Sequence, residues 1–203
     1  RTTDGPCRIE RLPGSDRHVT CPNPMTVESV VDEVLAFTAA TAHHSVSITG
    51  GEPLLQPHFV RALADSLAAV GLSTYLDTAC CYAAAMAEVA PAVAIVAADY
   101  KLPETMREPV EFADFAAAWQ AVVADRFIKI VLTADVQPDR FAEHCARLAE
   151  LDPQAQVVLQ PATPRGDVRP PDRSALFALA AAAAAVLPTV RVIPQCHRLL
   201  GVK

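Results

Sequence analysis

The residues most able to do chemistry are Thr49-Gly50-Gly51-Glu52-Pro53, two glycines followed by a carboxylate and a proline. Two successive residues without Cβ let the main chain approach a ligand closely, and the proline stiffens the exit from the turn. A carboxylate at this place suits an ammonium, so the pattern fits an amino-acid-like ligand. It fits equally a plain strand-to-helix turn with glutamate at the helix start. It is not a phosphate loop of the Gly-x-x-x-x-Gly-Lys type, because no such lysine follows.

Further polar groups follow other apolar runs: Asp77-Thr78-Ala79-Cys80, Asp99-Tyr100-Lys101-Leu102-Pro103, Thr133-Ala134-Asp135, Gln160-Pro161-Ala162-Thr163-Pro164 and Pro194-Gln195-Cys196-His197. Taken alone, Lys101 reads as either a ligand group or a solvated strand-end lysine, and Gln160-Pro161 as either a contact or a turn. His197 sits in a motif, but a capping or core role suits it as well. His43 and His44 adjoin a helix end and Trp119 suits a packing position. No Ser-His-Asp order or His-Glu-x-x-His zinc pattern is present.

The elements that must hold these groups follow from periodicity. Val27, Val30, Val31, Val34 and Leu35 recur at helical spacing behind Thr26, a suitable N-cap. Val46 to Thr49 predicts a strand, and Phe59, Leu63, Leu67 and Val70 predict a helix closed by Gly71. The alternation continues through strands near 73–77, 93–96, 127–132, 157–159 and 190–193. Helices are expected near 82–89 and 112–124, behind Pro138, and from Asp172 into an alanine-rich stretch. Such an order predicts an α/β fold with right-handed crossovers and a parallel sheet, either an open doubly wound sheet or a partial (β/α) barrel. In either architecture, functional groups gather beyond the C-terminal strand ends, where the polar segments above fall. Residues 1–25, rich in proline and glycine, read as an irregular segment with a short strand at Arg8 to Leu12, and residues 26–203 as the core domain.

With 203 residues, 52% hydrophobic and 20% charged, the chain is globular rather than disordered or fibrous. Its 17 Lys+Arg and 23 Asp+Glu form no basic run, so neither a nucleic acid nor an anionic membrane is an expected partner. The longest uncharged stretch, Ser174 to Val190, is short for a bilayer span and contains Pro188, so it predicts a buried helix. Six cysteines are too few for a disulfide scaffold and no signal peptide opens the sequence, which makes the cytoplasm the expected location.

Read together, Ile48-Thr49-Gly50-Gly51-Glu52-Pro53-Leu54-Leu55-Gln56, Leu76-Asp77-Thr78, Asp99-Tyr100-Lys101-Leu102-Pro103, Lys129 with Val131, Gln160-Pro161 and Pro194-Gln195-Cys196-His197-Arg198-Leu199-Leu200-Gly201 are in a distinctive order. Over residues 46–203 the sequence resembles the 7-carboxy-7-deazaguanine synthase family of radical S-adenosylmethionine enzymes. The resemblance implies a partial parallel barrel, S-adenosylmethionine and a [4Fe-4S] cluster as cofactors, and Mg2+. It implies conversion of the pterin 6-carboxy-5,6,7,8-tetrahydropterin to 7-carboxy-7-deazaguanine, on the way to queuosine-type deazapurines. An electron donor such as a flavodoxin-like protein, and a homodimer, are implied as well. Carried over residue by residue, Thr49 and Lys203 match substrate contacts. Gly50, Gly51 and Glu52 match S-adenosylmethionine contacts, as do Asp99, Tyr100 and Lys101 and then Gln160, Pro161, Ala162 and Thr163. Asp77 stands where the family has glutamate and Cys80 where it usually has glycine.

The family holds its cluster through C-x3-C-x2-C, and this sequence contains no such triplet: its cysteines are Cys7, Cys21, Cys80, Cys81, Cys145 and Cys196. Cys7 and Cys21 read as loop thiols and Cys145 as a core residue, so no metal ligand is assigned. The sequence opens on Arg1 rather than methionine. The expectation is that the cysteine segment and the first barrel strand precede it in the gene; the alternative is a homologue that binds without radical chemistry. A different radical S-adenosylmethionine enzyme, such as a glycyl-radical activase, is a further alternative, as is a noncatalytic S-adenosylmethionine- or pterin-binding module.

Overall fold

The computed structural model describes residues 5–11, 15, 17–39, 41–106 and 110–199. Strands β1 (Cys7–Glu10) and β2 (His18–Cys21) pair antiparallel. The segment expected to be irregular therefore forms a hairpin. Cys7 and Ile9 alternate with Arg8 and Glu10, a period too short to stand out among the surrounding prolines, and cross-strand pairing completes it.

Helix α1 (Val27–Thr38) follows, capped by Thr26, whose Oγ1 accepts from the Ser29 N–H at 3.2 Å. Such a cap stabilises a helix by about 1 kcal/mol. The chain then alternates through β3 (Val46–Ile48), α2 (Pro57–Ala69), β4 (Thr74–Thr78), α3 (Ala83–Val89), β5 (Ile95–Asp99), α4 (Phe112–Gln120) and β6 (Asp125–Leu132). It ends with α5 (Pro138–Leu151), β7 (Gln156–Pro161), α6 (Arg173–Ala184), β8 (Thr189–Val192) and the single turn α7 (Cys196–Leu199). All six strands from β3 to β8 are parallel and stand in sequence order. Gly71, at φ 81°, ends α2: its N–H donates to Ala68 and the Leu72 N–H to Leu67, the paired bonds of a Schellman motif.

Strand side chains alternate between two environments. Leu76, Val96, Ile128, Ile130, Leu132, Val157 and Leu159 are fully buried against the helices, with Phe115, Trp119, Phe141 and Leu148. The opposite face, carrying Tyr75, Asp77, Asp99, Lys129, Val131 and Gln160, is the concave side of the sheet. A smaller apolar cluster of Val31, Leu63 and Leu67 fastens α1 to α2.

Candidate active site

The turn after β3 reverses direction through two left-handed residues, Gly50 at φ 92° and Gly51 at φ 50°. A Cβ built on either would meet nothing within 4 Å, so backbone conformation, not crowding, selects glycine, and the turn keeps an open face. Glu52 anchors it. Its Oε1 accepts from the Leu54 N–H at 3.0 Å and the Thr78 hydroxyl at 2.6 Å, and its Oε2 accepts from the Ala79 N–H at 2.8 Å. A carboxylate expected to meet an ammonium thus has most of its acceptor capacity taken inside the protein, tying the β3 turn to the end of β4. The Cys80 N–H continues the chain to Thr78 Oγ1, and Cys80 itself is left-handed at φ 53°.

On the concave face, charges from three strands gather: Asp77 on β4, Asp99 on β5 and Lys129 on β6. Lys129 Nζ donates to both carboxylate oxygens of Asp77 at 2.8 Å and lies 3.8 Å from Asp99 Oδ2, which also accepts from Lys101 Nζ. Register produces this grouping, since β5 and β6 align Asp99 with Lys129 and β4 and β5 align Asp77 with Ala97. Asp99 Oδ1 is buried with no partner among the described residues. The groups enclose a cavity of about 180 Å3 whose walls include Thr49, Gly50, Gly51 and Thr78. On the same face of the sheet the Tyr75 and Phe127 rings pack with centroids 6.2 Å apart and planes tilted by 43°. Burial, then the charges of Asp77 and Asp99, push the Tyr75 hydroxyl up to about 12.

Tyr100 holds its side chain apart from Asp99 and Lys101. Its side chain is 4% exposed and lies on the helix side of the sheet, 4.9 Å from Phe115 between ring centroids. Its hydroxyl is hydrogen-bonded to His144 Nδ1 at 2.8 Å, and His144 Nε2 stands 3.3 Å from Glu104. Alternation explains this: with Asp99 and Lys101 turned inward, the residue between them must turn outward. Tyr100 therefore positions the loop rather than offering a side chain to a ligand.

The other half of the rim is open. Ala162 and Thr163 line a cavity of about 600 Å3 with Val131, Arg165, Gln195 and Arg198. Thr163 Oγ1 donates to Gln195 Oε1 at 2.5 Å, bridging the loops after β7 and β8. Gln160 stands on the concave face opposite Val131, and Pro161 ends β7 opposite Leu132. Arg198 belongs to the C-terminal motif quoted above, whereas Arg165 carries no motif signal and is found only through the fold. Lys203 lies outside the described residues, and the His197 side chain is likewise not described.

No family model matches the chain. A 7-carboxy-7-deazaguanine synthase from Geobacter sulfurreducens is 31% identical over 204 aligned positions, covering 97% of this chain and 79% of that protein. The chain belongs to the 7-carboxy-7-deazaguanine synthase family. Similar proteins with the same description occur in Thermococcus kodakarensis, at 28% identity over 77% of this chain and 63% of that one, and in Methanocaldococcus jannaschii, at 24% over 96% and 81%. Among solved structures, a radical SAM methyltransferase from Sphaerobacter thermophilus matches 88% of this chain and 59% of its own, with TM-score 0.67 and 18% identity. A domain of a pyruvate-formate lyase-activating enzyme from Bacteroides vulgatus matches 74% of this chain and 99% of its own, with TM-score 0.62 and 18% identity. The fold is the partial barrel of the radical S-adenosylmethionine type.

Membership of this family makes the chain a radical S-adenosylmethionine enzyme and implies S-adenosylmethionine and a [4Fe-4S] cluster. The rim fits the first: an open glycine turn, an unpartnered buried acceptor and an adjoining larger cavity. The thiols do not fit the second. Cys80 and Cys145 are buried, and burial pushes both up to about 12; Cys81 is raised for the same reason. Cys7, Cys21 and Cys196 lie on the hairpin and on α7. Among the described residues no group of three His, Cys, Asp or Glu could hold a metal ion, so neither the cluster nor Mg2+ finds ligands there. No helix of the described residues is long and apolar enough to cross a membrane.

Proposed function

We propose that the reaction this site serves is conversion of 6-carboxy-5,6,7,8-tetrahydropterin to 7-carboxy-7-deazaguanine, a carbon–nitrogen lyase reaction that draws on S-adenosylmethionine, a [4Fe-4S] cluster, Mg2+ and a flavodoxin-like electron donor, and that this chain alone, whose described residues supply no cluster ligands, is inactive. The observation that carries this reading is the pre-formed polar rim, Gly50-Gly51 facing Asp99 and Lys101, in a chain that belongs to a family of that name. Bound S-adenosylmethionine supplies an amino-acid end and a nucleoside end joined at a sulfonium. The open main chain of Gly50 and Gly51 is suited to the amino-acid end. The larger cavity beside Ala162 and Thr163 is suited to the nucleoside.

The remaining work falls to groups already fixed in place. Lys129, clasped by Asp77, presents its amino group to the concave face. Asp99 lines the smaller cavity, with its buried Oδ1 lacking a partner among the described residues. Tyr75 and Phe127 add tilted aromatic surface to the concave face of the sheet. No step through the cluster is assigned to residues of this chain, since its cysteines do not converge.

The test is anaerobic turnover by the product of the complete gene with 6-carboxytetrahydropterin, S-adenosylmethionine and a reductant. The deazaguanine product is expected by mass spectrometry. Cleavage of S-adenosylmethionine without that product would point to a different radical enzyme, and binding without cleavage to a noncatalytic module.

A further inference from the structure

The hairpin sets two thiols against each other. Cys7 on β1 is the direct partner of Cys21 on β2, in a register that continues through Arg8 and Thr20, Ile9 and Val19, and Glu10 and His18. Directly opposite residues of an antiparallel pair project to the same face. Beyond the named strands, the Arg11 N–H donates to the Arg17 carbonyl at 3.3 Å, which fixes the phase of the ladder. Counting back two residues at a time, Ile9 with Val19 and Cys7 with Cys21 are the hydrogen-bonded pairs. Such pairs hold their Cα atoms about 5.5 Å apart, inside the window of about 4.4–6.8 Å that a disulfide spans.

The surroundings agree. Both thiols are free and half-buried, and each borders a cavity that includes Pro24 and Met25, of about 340 Å3 at Cys7 and about 280 Å3 at Cys21. Small solutes can therefore reach both sulfurs from one side of the hairpin. The Cys7 cavity also reaches Thr49, Gly50 and Glu52, so a change at this pair lies on the wall of the candidate site.

We propose that Cys7 and Cys21 form a reactive dithiol that closes to a disulfide by exchange with small-molecule disulfides. In the first step one cysteine thiolate attacks a sulfur of the reagent, giving a mixed disulfide and releasing one equivalent of reagent thiol. The second cysteine, as thiolate, then attacks the protein sulfur of the mixed disulfide and releases the second. The balance is two protein thiols plus one reagent disulfide giving one protein disulfide plus two reagent thiols. The two protein sulfurs are oxidised and the reagent is reduced. This property is separate from the proposed synthase reaction and stands or falls without it.

The experiment exposes the reduced, folded chain to oxidised glutathione and reads intact mass, then peptide masses. The expected result is loss of two hydrogens with Cys7 linked to Cys21, formed at least tenfold faster than in chain unfolded by guanidinium, because the register raises the effective concentration of one thiol at the other. In Cys21→Ser, a stable glutathione adduct on Cys7 is expected instead. A wild-type chain that keeps adducts on Cys7 or Cys21 without linking them would overturn the proposal. So would links confined to other cysteines, or equal closure rates in the folded and unfolded chains.

Discussion

The rim over β3–β5 and the rim over β6–β8 are built from the same strand-then-loop unit, yet their polar groups are in opposite states. In the first, Glu52 accepts three internal hydrogen bonds and Asp77 clasps Lys129, which reaches over from β6, around a cavity of about 180 Å3. In the second, the Arg165 and Arg198 side chains have no partner among the described residues, beside a cavity of about 600 Å3. Charge follows the same division: residues 160–203 carry Arg165, Arg169, Arg173, Arg191, Arg198 and Lys203 against Asp167 and Asp172, in a chain of net charge -6. A closed network fixes geometry before a ligand arrives, whereas an open one accommodates bulk, and a site for a two-ended molecule needs both.

This contrast can be broken most severely at Lys129. Lys129→Met removes the cation between Asp77 and Asp99, whose side chains are 28% and 11% exposed. Leaving those carboxylates without it should cost about 3 kcal/mol of stability in denaturant titration. Adding Asp77→Asn should recover part of that loss; no recovery would mean that Lys129 acts through something other than its charge. Glu52→Ala should cost less, about 2 kcal/mol, because it strands the Thr78 hydroxyl and two backbone N–H groups rather than a charge.

How much of this was legible beforehand depends on how far apart the cooperating residues lie. Strand and helix order, and the placing of Gly50-Gly51, Asp99, Lys101 and Thr163 on one rim, follow from local period and from where loops fall. The bond from Thr78 to Glu52 spans 26 residues and that from Lys129 to Asp77 spans 52, and only the sheet register brings them together. Tyr100 was readable in principle, since strict alternation through Asp99 and Lys101 turns it outward. Of the hairpin only the first strand is legible, expected at Arg8 to Leu12 and found at Cys7–Glu10; the second, four residues long, becomes meaningful only when it pairs.

Raising the pH sharpens the distinction between core and rim. Cys80 and Cys145, and the hydroxyls of Tyr75 and Tyr100, are pushed up to about 12 in the fold, chiefly by burial. The unfolded chain releases these protons from about pH 8.5 to 10 and the folded chain later, so the native state binds more protons in that window. Stability should therefore be level below pH 8 and fall steadily toward pH 12, seen as a declining melting temperature. Cys80→Ala should flatten the early part of that fall.

The smallest effect on stability is expected at the open half. Arg165→Ala should change it by less than about 0.5 kcal/mol, because the exposed residue has no partner to lose among the described residues. It should nevertheless weaken binding of an S-adenosylmethionine analogue in calorimetry, whereas unchanged affinity would detach the larger cavity from the site.

The most direct measurement is hydrogen–deuterium exchange of the chain with and without S-adenosylmethionine. A two-part site gives slowed exchange in two separate loops, 49–53 and 160–168, with little change in the 7–21 hairpin. Protection confined to one of those loops, or found only outside both, would contradict a single site made from a closed half and an open half.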